Sequence, residues 1–192
     1  MEPDRLILGR DGNLRCWWCG DDPLYVAYHD SEWGRLQTDD IRLFEKLCLE
    51  GFQAGLSWIT ILRKRENFRA AFDGFDFRKI AAYDDSDVAR LLQNDGIVRH
   101  GQKIRSVINN AQKMVDLIKE YGSFYAYLKP YALGEDSPSL RATSPESIAL
   151  SKDLKKRGFS FVGPTTAYAF LQAMGMVNDH VEGCFVRNAC KI

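Results

Sequence analysis

A chain of 192 residues is long enough for one domain with a substantial core, and 45% hydrophobic with 12% aromatic residues argues against a disordered chain. Lys plus Arg and Asp plus Glu both number 26, so the net charge is zero; bulk electrostatic binding to nucleic acid is excluded, while a local basic face is not. No apolar run reaches the length of a signal core or a bilayer span, and five cysteines, an odd number, argue against a disulfide framework, so the sequence predicts a soluble cytoplasmic protein with no membrane partner.

In chain order, residues 1–13 read as a flexible, polar N-terminal extension ahead of a single unit over 14–192. Cys16-Trp17-Trp18-Cys19 runs into Asp22-Pro23-Leu24-Tyr25 and Tyr28-His29-Asp30. Tyr25, Tyr28 and His29 would share one side of a helical turn. This could be an ordinary amphipathic turn, but aromatics so crowded, with phenol and indole groups needing partners, more often line a site or an interface. Thr38-Asp39-Asp40 reads as an N-cap with acids in the first turn of a helix, and Ile41, Phe44, Leu47 and Cys48 recur at helical spacing. Gly51 is predicted to stop that helix, which leaves Glu50 at its C-terminal end. The dipole disfavours a carboxylate there. Two readings follow for Glu50: an acid pointing to water, or a carboxylate held beside Trp58 in an aromatic pocket for a flat, electron-poor ligand.

Ser57 reads as the N-cap of the next helix, with Ile59, Leu62, Phe68 and Phe72 inward. A short helix is expected around Arg78–Ala82, another capped by Ser86 with Gly96 beyond its end, and a long one over Ile104–Ile118 ended by Gly122. His100 reads as a surface residue, Ser123–Leu128 as a short aromatic helix, and 129–143 as the longest loop. Ser144-Pro145 starts a helix that ends in Lys155-Lys156-Arg157-Gly158. The turn bounded by Gly158 and Gly163 leads into a further helix. Such a helix–hairpin–helix leaves backbone N–H groups free at a helix N-terminus, which suits a phosphate, with Lys155, Lys156 and Arg157 adding charge; an αα-hairpin without a ligand is the alternative. No stretch alternates well enough for a strand, so the fold class is all-α. Finally, His180-x3-Cys184 places two soft ligands one helical turn apart. With Cys16 and either Cys19 or His29 they would make four ligands of the structural zinc kind, clipping the chain ends together; two unrelated buried residues is the plainer reading.

Together these blocks resemble the DNA-3-methyladenine glycosylase I family. The resemblance covers most of the chain, from Arg15-Cys16 to His180–Cys184. It rests on Asp22-Pro23-Leu24-Tyr25, Tyr28-His29-Asp30, Glu32-Trp33-Gly34, Leu49-Glu50-Gly51, Gln53-Ala54-Gly55-Leu56-Ser57-Trp58, Lys64-Arg65-Glu66, Leu154-Lys155-Lys156-Arg157-Gly158-Phe159, Phe161-Val162-Gly163 and Asn178-Asp179-His180 in one order. It implies an all-helical helix–hairpin–helix glycosylase with one structural zinc ion per chain, held by Cys16, His29, His180 and Cys184. It implies Glu50 as the base-contacting, catalytic acid and Trp18, Tyr25, Tyr28 and Trp58 as the base-binding pocket. The implied partner is double-stranded DNA containing alkylated adenine, bound by a monomer. Cys19 departs from the family's pattern, and Asp179 is expected to orient His180 from behind. A non-catalytic zinc-stabilised DNA-binding module, a thiol redox protein built on Cys16–Cys19, and a glycosylase for another alkylated purine are the competing expectations.

Overall fold

The computed structural model describes residues 5–132 and 141–190. Its framework is helical: α1 (Pro23–Ser31), α2 (Asp40–Gln53), α3 (Trp58–Ala71), α4 (Phe77–Ile80), α5 (Asp85–Gln93), α6 (Gly101–Tyr121), α7 (Phe124–Leu128), α8 (Pro145–Lys156) and α9 (Pro164–Ala173). Helix α2 is the centre of the molecule. It is buried from Leu43 to Phe52 and packs against α3, α6, α7 and α9. Its start follows from local chemistry: the Asp39 carboxylate accepts a hydrogen bond from the Arg42 amide at 2.9 Å. Ser144 and Pro145 begin α8 as expected, Ser144 and Ser147 forming a reciprocal cap. Gly122, at φ 81°, ends α6.

Several expectations are corrected. Leu6–Leu8 and Leu14–Cys16 form a two-stranded antiparallel pair, β1 and β2, with Leu6 opposite Cys16. A boundary after residue 13 therefore runs through a hairpin, too short for alternation to reveal it. Residues 1–4 lie outside the described residues, as do 133–140 of the expected loop. Asp84, not Ser86, caps α5, because its carboxylate accepts from the amides of Ser86 and Asp87; the helix ends at Asn94 rather than Gly96. His100 is exposed, as expected, and in addition caps α6 through its ring, accepting from the Lys103 amide. Most consequential, Gly51 does not stop α2. The helix passes through it, and a Cβ at Gly51 would lie 3.3 Å from the Phe161 Cβ. That glycine serves the close approach of α2 to the turn between α8 and α9. The break comes at Ala54 and Gly55, the latter at φ 81°.

Candidate functional site

Glu50, in the last turn of α2, is 6% exposed. It does not point to bulk water. It lines a cavity of about 270 Å³ together with Trp18, Tyr25, Tyr28, Trp58 and Asp179, among others. The rings come from three places. Trp18 lies in the short turn after β2, Tyr25 and Tyr28 on one side of α1, and Trp58 at the first position of α3. Ring centroids stand 5.2 Å apart for Trp18–Tyr25 and 5.5 Å for Tyr28–Trp58, both tilted contacts. The one-turn spacing of Tyr25 and Tyr28 thus does what the sequence suggested, and all five expected base-site residues meet in one place. Burial pushes the Tyr25 hydroxyl up to about 12 and that of Tyr28 well above the ordinary value, with Glu50 adding to both, so both phenols are neutral donors. The Trp58 Nε1 and Asp179 Oδ1 atoms are buried with no hydrogen-bond partner among the described residues. Both residues line the cavity, so each keeps an unpaired polar atom beside it.

The cavity holds one side chain that the sequence did not single out. Lys46, one helical turn before Glu50, is 6% exposed. Its Nζ lies 2.7 Å from Glu50 Oε1, donates to the Tyr28 hydroxyl at 2.9 Å, and sits 3.1 Å from the Trp58 ring centroid. Burial pushes the Lys46 ammonium down from its ordinary range, and Glu50 partly restores it. The i, i+4 spacing of Lys46 and Glu50 was the signal available for this pair. Trp33 and Gln172 also line the cavity.

Next to the aromatic cavity is the Cys/His cluster. The donor atoms of Cys16, His29, His180 and Cys184 lie within 4.8 Å of one another, and all four residues are buried. Cys184 Sγ is 3.5 Å from His29 Nε2 and 3.6 Å from His180 Nδ1, and Cys16 Sγ is 3.6 Å from His180 Nδ1. Metal–ligand bonds of about 2.0–2.3 Å in a tetrahedron give edges of roughly 3.3–3.8 Å, so the donors are spaced to hold a metal ion. The alternative of His29 or Cys19 resolves in favour of His29. The Cys19 thiol instead donates to the Cys16 carbonyl. Both histidines are oriented from behind. His29 Nδ1 donates to Asp30 Oδ1 at 2.8 Å, and Asp30 is in turn gripped by Arg15. His180 Nε2 donates to the Trp33 carbonyl at 3.1 Å. Asp179 does not orient the His180 ring, contrary to expectation. Its Oδ2 accepts from the Tyr168 hydroxyl and from Gln172. A hydrogen bond from Cys16 holds the Cys184 sulfur down as thiolate and correspondingly raises Cys16.

The turn between α8 and α9 approaches the same region. A second, smaller opening is lined by Glu50, Gln53, Thr165 and Thr166, so the N-terminus of α9 lies next to Glu50. Gly158 takes φ 87°, and Gly163 caps α9 with no side-chain partner. Lys155 and Lys156 are exposed. Arg157 is not available in the same way. Its guanidinium is bound by Glu120, Asp153 and the Tyr121 hydroxyl.

Residues 18–188 match the methyladenine glycosylase family. The chain belongs to that family. The DNA-3-methyladenine glycosylase 1 of Escherichia coli (strain K12) is 50% identical over 177 residues, which are 88% of this chain and 95% of that protein. The DNA-3-methyladenine glycosylase of Haemophilus influenzae (strain ATCC 51907 / DSM 11121 / KW20 / Rd) is 45% identical over 177 residues, covering 88% of this chain and 96% of the other. A solved 3-methyladenine DNA glycosylase I variant in complex with 3-methyladenine superimposes with a TM-score of 0.87 at 35% identity, covering 90% of this chain and 97% of that one. The matched segment thus contains Trp18, Tyr25, Tyr28, Glu50 and Trp58 of the aromatic cavity and three of the four cluster residues, Cys16 and the cavity residue Trp17 lying just before it.

Proposed function

We propose that this glycosylase hydrolyses the N-glycosidic bond of N3-methyladenine in alkylated double-stranded DNA. One observation carries the reading: a carboxylate, Glu50, held at the wall of a cavity among the rings of Trp18, Tyr25, Tyr28 and Trp58. Methylation at N3 makes the glycosylated base a cation and weakens its bond to the sugar, so no acid is needed to protonate the leaving group. What the protein must supply is extrusion of the base, recognition and electrostatic stabilisation. The base leaves the stack and enters between the rings, where a cation over a π face gains about 0.5–2 kcal/mol. Glu50 accepts a hydrogen bond from the base edge, and its charge favours the cationic base and the positive charge developing on the sugar. The C1′–N9 bond breaks with its electron pair going to the base, which leaves neutral; water adds to C1′ and releases a proton. No lysine Schiff base is invoked, so the strand stays intact.

Lys155, Lys156 and the backbone at Gly158 and Gly163 are assigned to the DNA phosphates, and Arg157 to bracing the hairpin. Zinc is assigned to Cys16, His29, His180 and Cys184. The two-Cys, two-His set suits it, and four protein ligands close the coordination sphere, so the ion supplies a cross-link between the two ends of the chain. No helix of the described residues is long and apolar enough to cross a membrane. Five cysteines without a disulfide fit a reducing compartment, which supports a cytoplasmic enzyme.

The deciding experiment is incubation with methylated duplex DNA and chromatography of the released bases. N3-methyladenine with uncut abasic DNA is expected. Release of a different alkylated purine, or DNA binding with no release, would replace the reading with one of its competitors.

A further inference from the structure

The cage around Glu50 already contains a cation. An ordinary i, i+4 lysine–glutamate pair on a helix leaves both charged ends in water and contributes little. Here both side chains are withdrawn from solvent, 7% and 5% exposed. The Lys46 ammonium touches the Glu50 carboxylate, the Tyr28 hydroxyl and the face of Trp58. Those are the groups that a positively charged purine would use. A base stacked on that face of Trp58 and bonded to Glu50 needs the volume the ammonium fills.

We propose that Lys46 is a tethered competitor for the base site, an ammonium that stands in for the cationic base in the free enzyme and is expelled when a base enters. This rests on the proposed glycosylase reading and adds a threshold to it. Every entering purine must first break the Lys46–Glu50 pair. A cationic purine replaces the lost charge on Glu50. A neutral adenine does not, and leaves the carboxylate buried without a counter-charge. The affinity of any ligand is lowered by the fraction of enzyme in which the cage is free. Against the great excess of undamaged adenine in DNA, that common penalty holds the occupancy of the wrong base down, while Glu50 itself discriminates between charged and neutral rings.

The expelled ammonium has somewhere to go. Lys46 also lines an adjoining cavity of about 290 Å³, which Tyr28 and Trp58 wall off from the first. Charged groups face it from all sides: Glu32 bound to Arg65, Glu45 bound to Arg42 and Arg69, and Arg35. Rotation about the flexible stem would carry the ammonium from Glu50 to the side of that cavity held by Glu32 and Glu45, whose carboxylates it would share with Arg65, Arg42 and Arg69. The energetic cost of keeping a lysine charged in its present position, visible in its lowered proton affinity, makes the resident state easier to vacate.

The test is equilibrium binding of two free ligands to the full chain: 3,9-dimethyladeninium, which carries the charge of the glycosylated base, and adenine. They are measured on wild type, K46M, K46Q and K46R, with excision of N3-methyladenine by wild type run alongside. K46M keeps the apolar stem without the charge, K46Q keeps an amide donor for Glu50, and K46R keeps a competing cation. Expulsion of a resident ammonium predicts that K46M and K46Q bind both ligands about tenfold tighter, by the same factor, while K46R shows no gain. If K46M fails to fold, K46Q carries the comparison. Unchanged, weaker or undetectable binding of the cation by the neutral variants overturns the proposal, because Lys46 would then be a fixed wall of the pocket. Should wild type neither excise N3-methyladenine nor bind either ligand, the glycosylase reading falls and this inference with it. Excision by wild type without tighter binding by the variants removes the role of Lys46 alone.

Discussion

Replacing Glu50 by glutamine separates two consequences of one carboxylate. The Lys46 and Glu50 side chains are 7% and 5% exposed and 2.7 Å apart. Removing the acid leaves an ammonium buried among rings, and breaking one side of a buried pair costs about 3–5 kcal/mol. The lysine has an escape that sets a ceiling: if vacating the cage costs a ligand about tenfold in affinity, the position toward Glu32 and Glu45 lies about 1.4 kcal/mol above the resident one, so the expected loss is about 1–1.5 kcal/mol. For a chain of this size each kcal/mol moves Tm by roughly 2–4 °C, which gives a fall of about 2–6 °C. The double variant E50Q/K46M should recover most of that fall, since both charges are gone, yet stay as inactive as E50Q. Calorimetry reads the first effect and single-turnover release of N3-methyladenine the second. An E50Q protein with wild-type Tm would refute the buried-pair argument; one with the wild-type excision rate would remove Glu50 from the chemistry.

D30N should weaken metal retention by about 10–100-fold, measured by competition with a chromogenic chelator, because it takes away the carboxylate that fixes the His29 ring through Nδ1. K155Q/K156Q should weaken DNA binding across all sequences and reduce the slope of log affinity against log salt by about 2, one unit per phosphate contact. R157Q should leave that slope unchanged and lower thermal stability instead, since its guanidinium is held by Glu120 and Asp153. Burial pushes the Asp153 carboxyl up, but Arg157 and the Tyr127 hydroxyl outweigh it and hold it below the usual carboxylate range. Its native pKa is therefore below its unfolded one, so the unfolded chain binds the extra proton, and this stabilisation is present above about pH 4 and lost as the pH falls through the native value. D153N should accordingly flatten the decline of Tm below about pH 4.

Residue types that act locally were legible in the sequence, and partners chosen across the fold were not. Ser144 and Gly122 do their work within four residues, so the helix ends they set could be read directly, and the Thr38–Asp40 signal placed the start of α2 to within a residue of its Asp39 cap. The tyrosines of α1 and the indole of Trp58 were recognisable as a set because the family blocks kept them in one order. Gly51 misled because its role is to admit Phe161, which lies 110 positions further on. Asp179 misled for the same reason: adjacency to His180 suggested a partner, but its oxygen goes to Tyr168 and Gln172. Lys46 was overlooked because an i, i+4 lysine before a glutamate ordinarily marks a solvated helix face. Only burial of that face by Tyr28 and Trp58 changes what the pair means.

The cluster and the cavity share furniture. Trp18 leans edge-on against His29 at 5.1 Å, Trp33 meets His180 at 4.6 Å, and the two indoles meet each other at 4.9 Å. A chelator or an oxidant acting on the thiols would therefore never need to reach Glu50 to silence it. By slackening two imidazoles it would unseat the panels on which a purine is stacked, so the state of the sulfurs would be reported by failure to grip the lesion well before the molecule came apart.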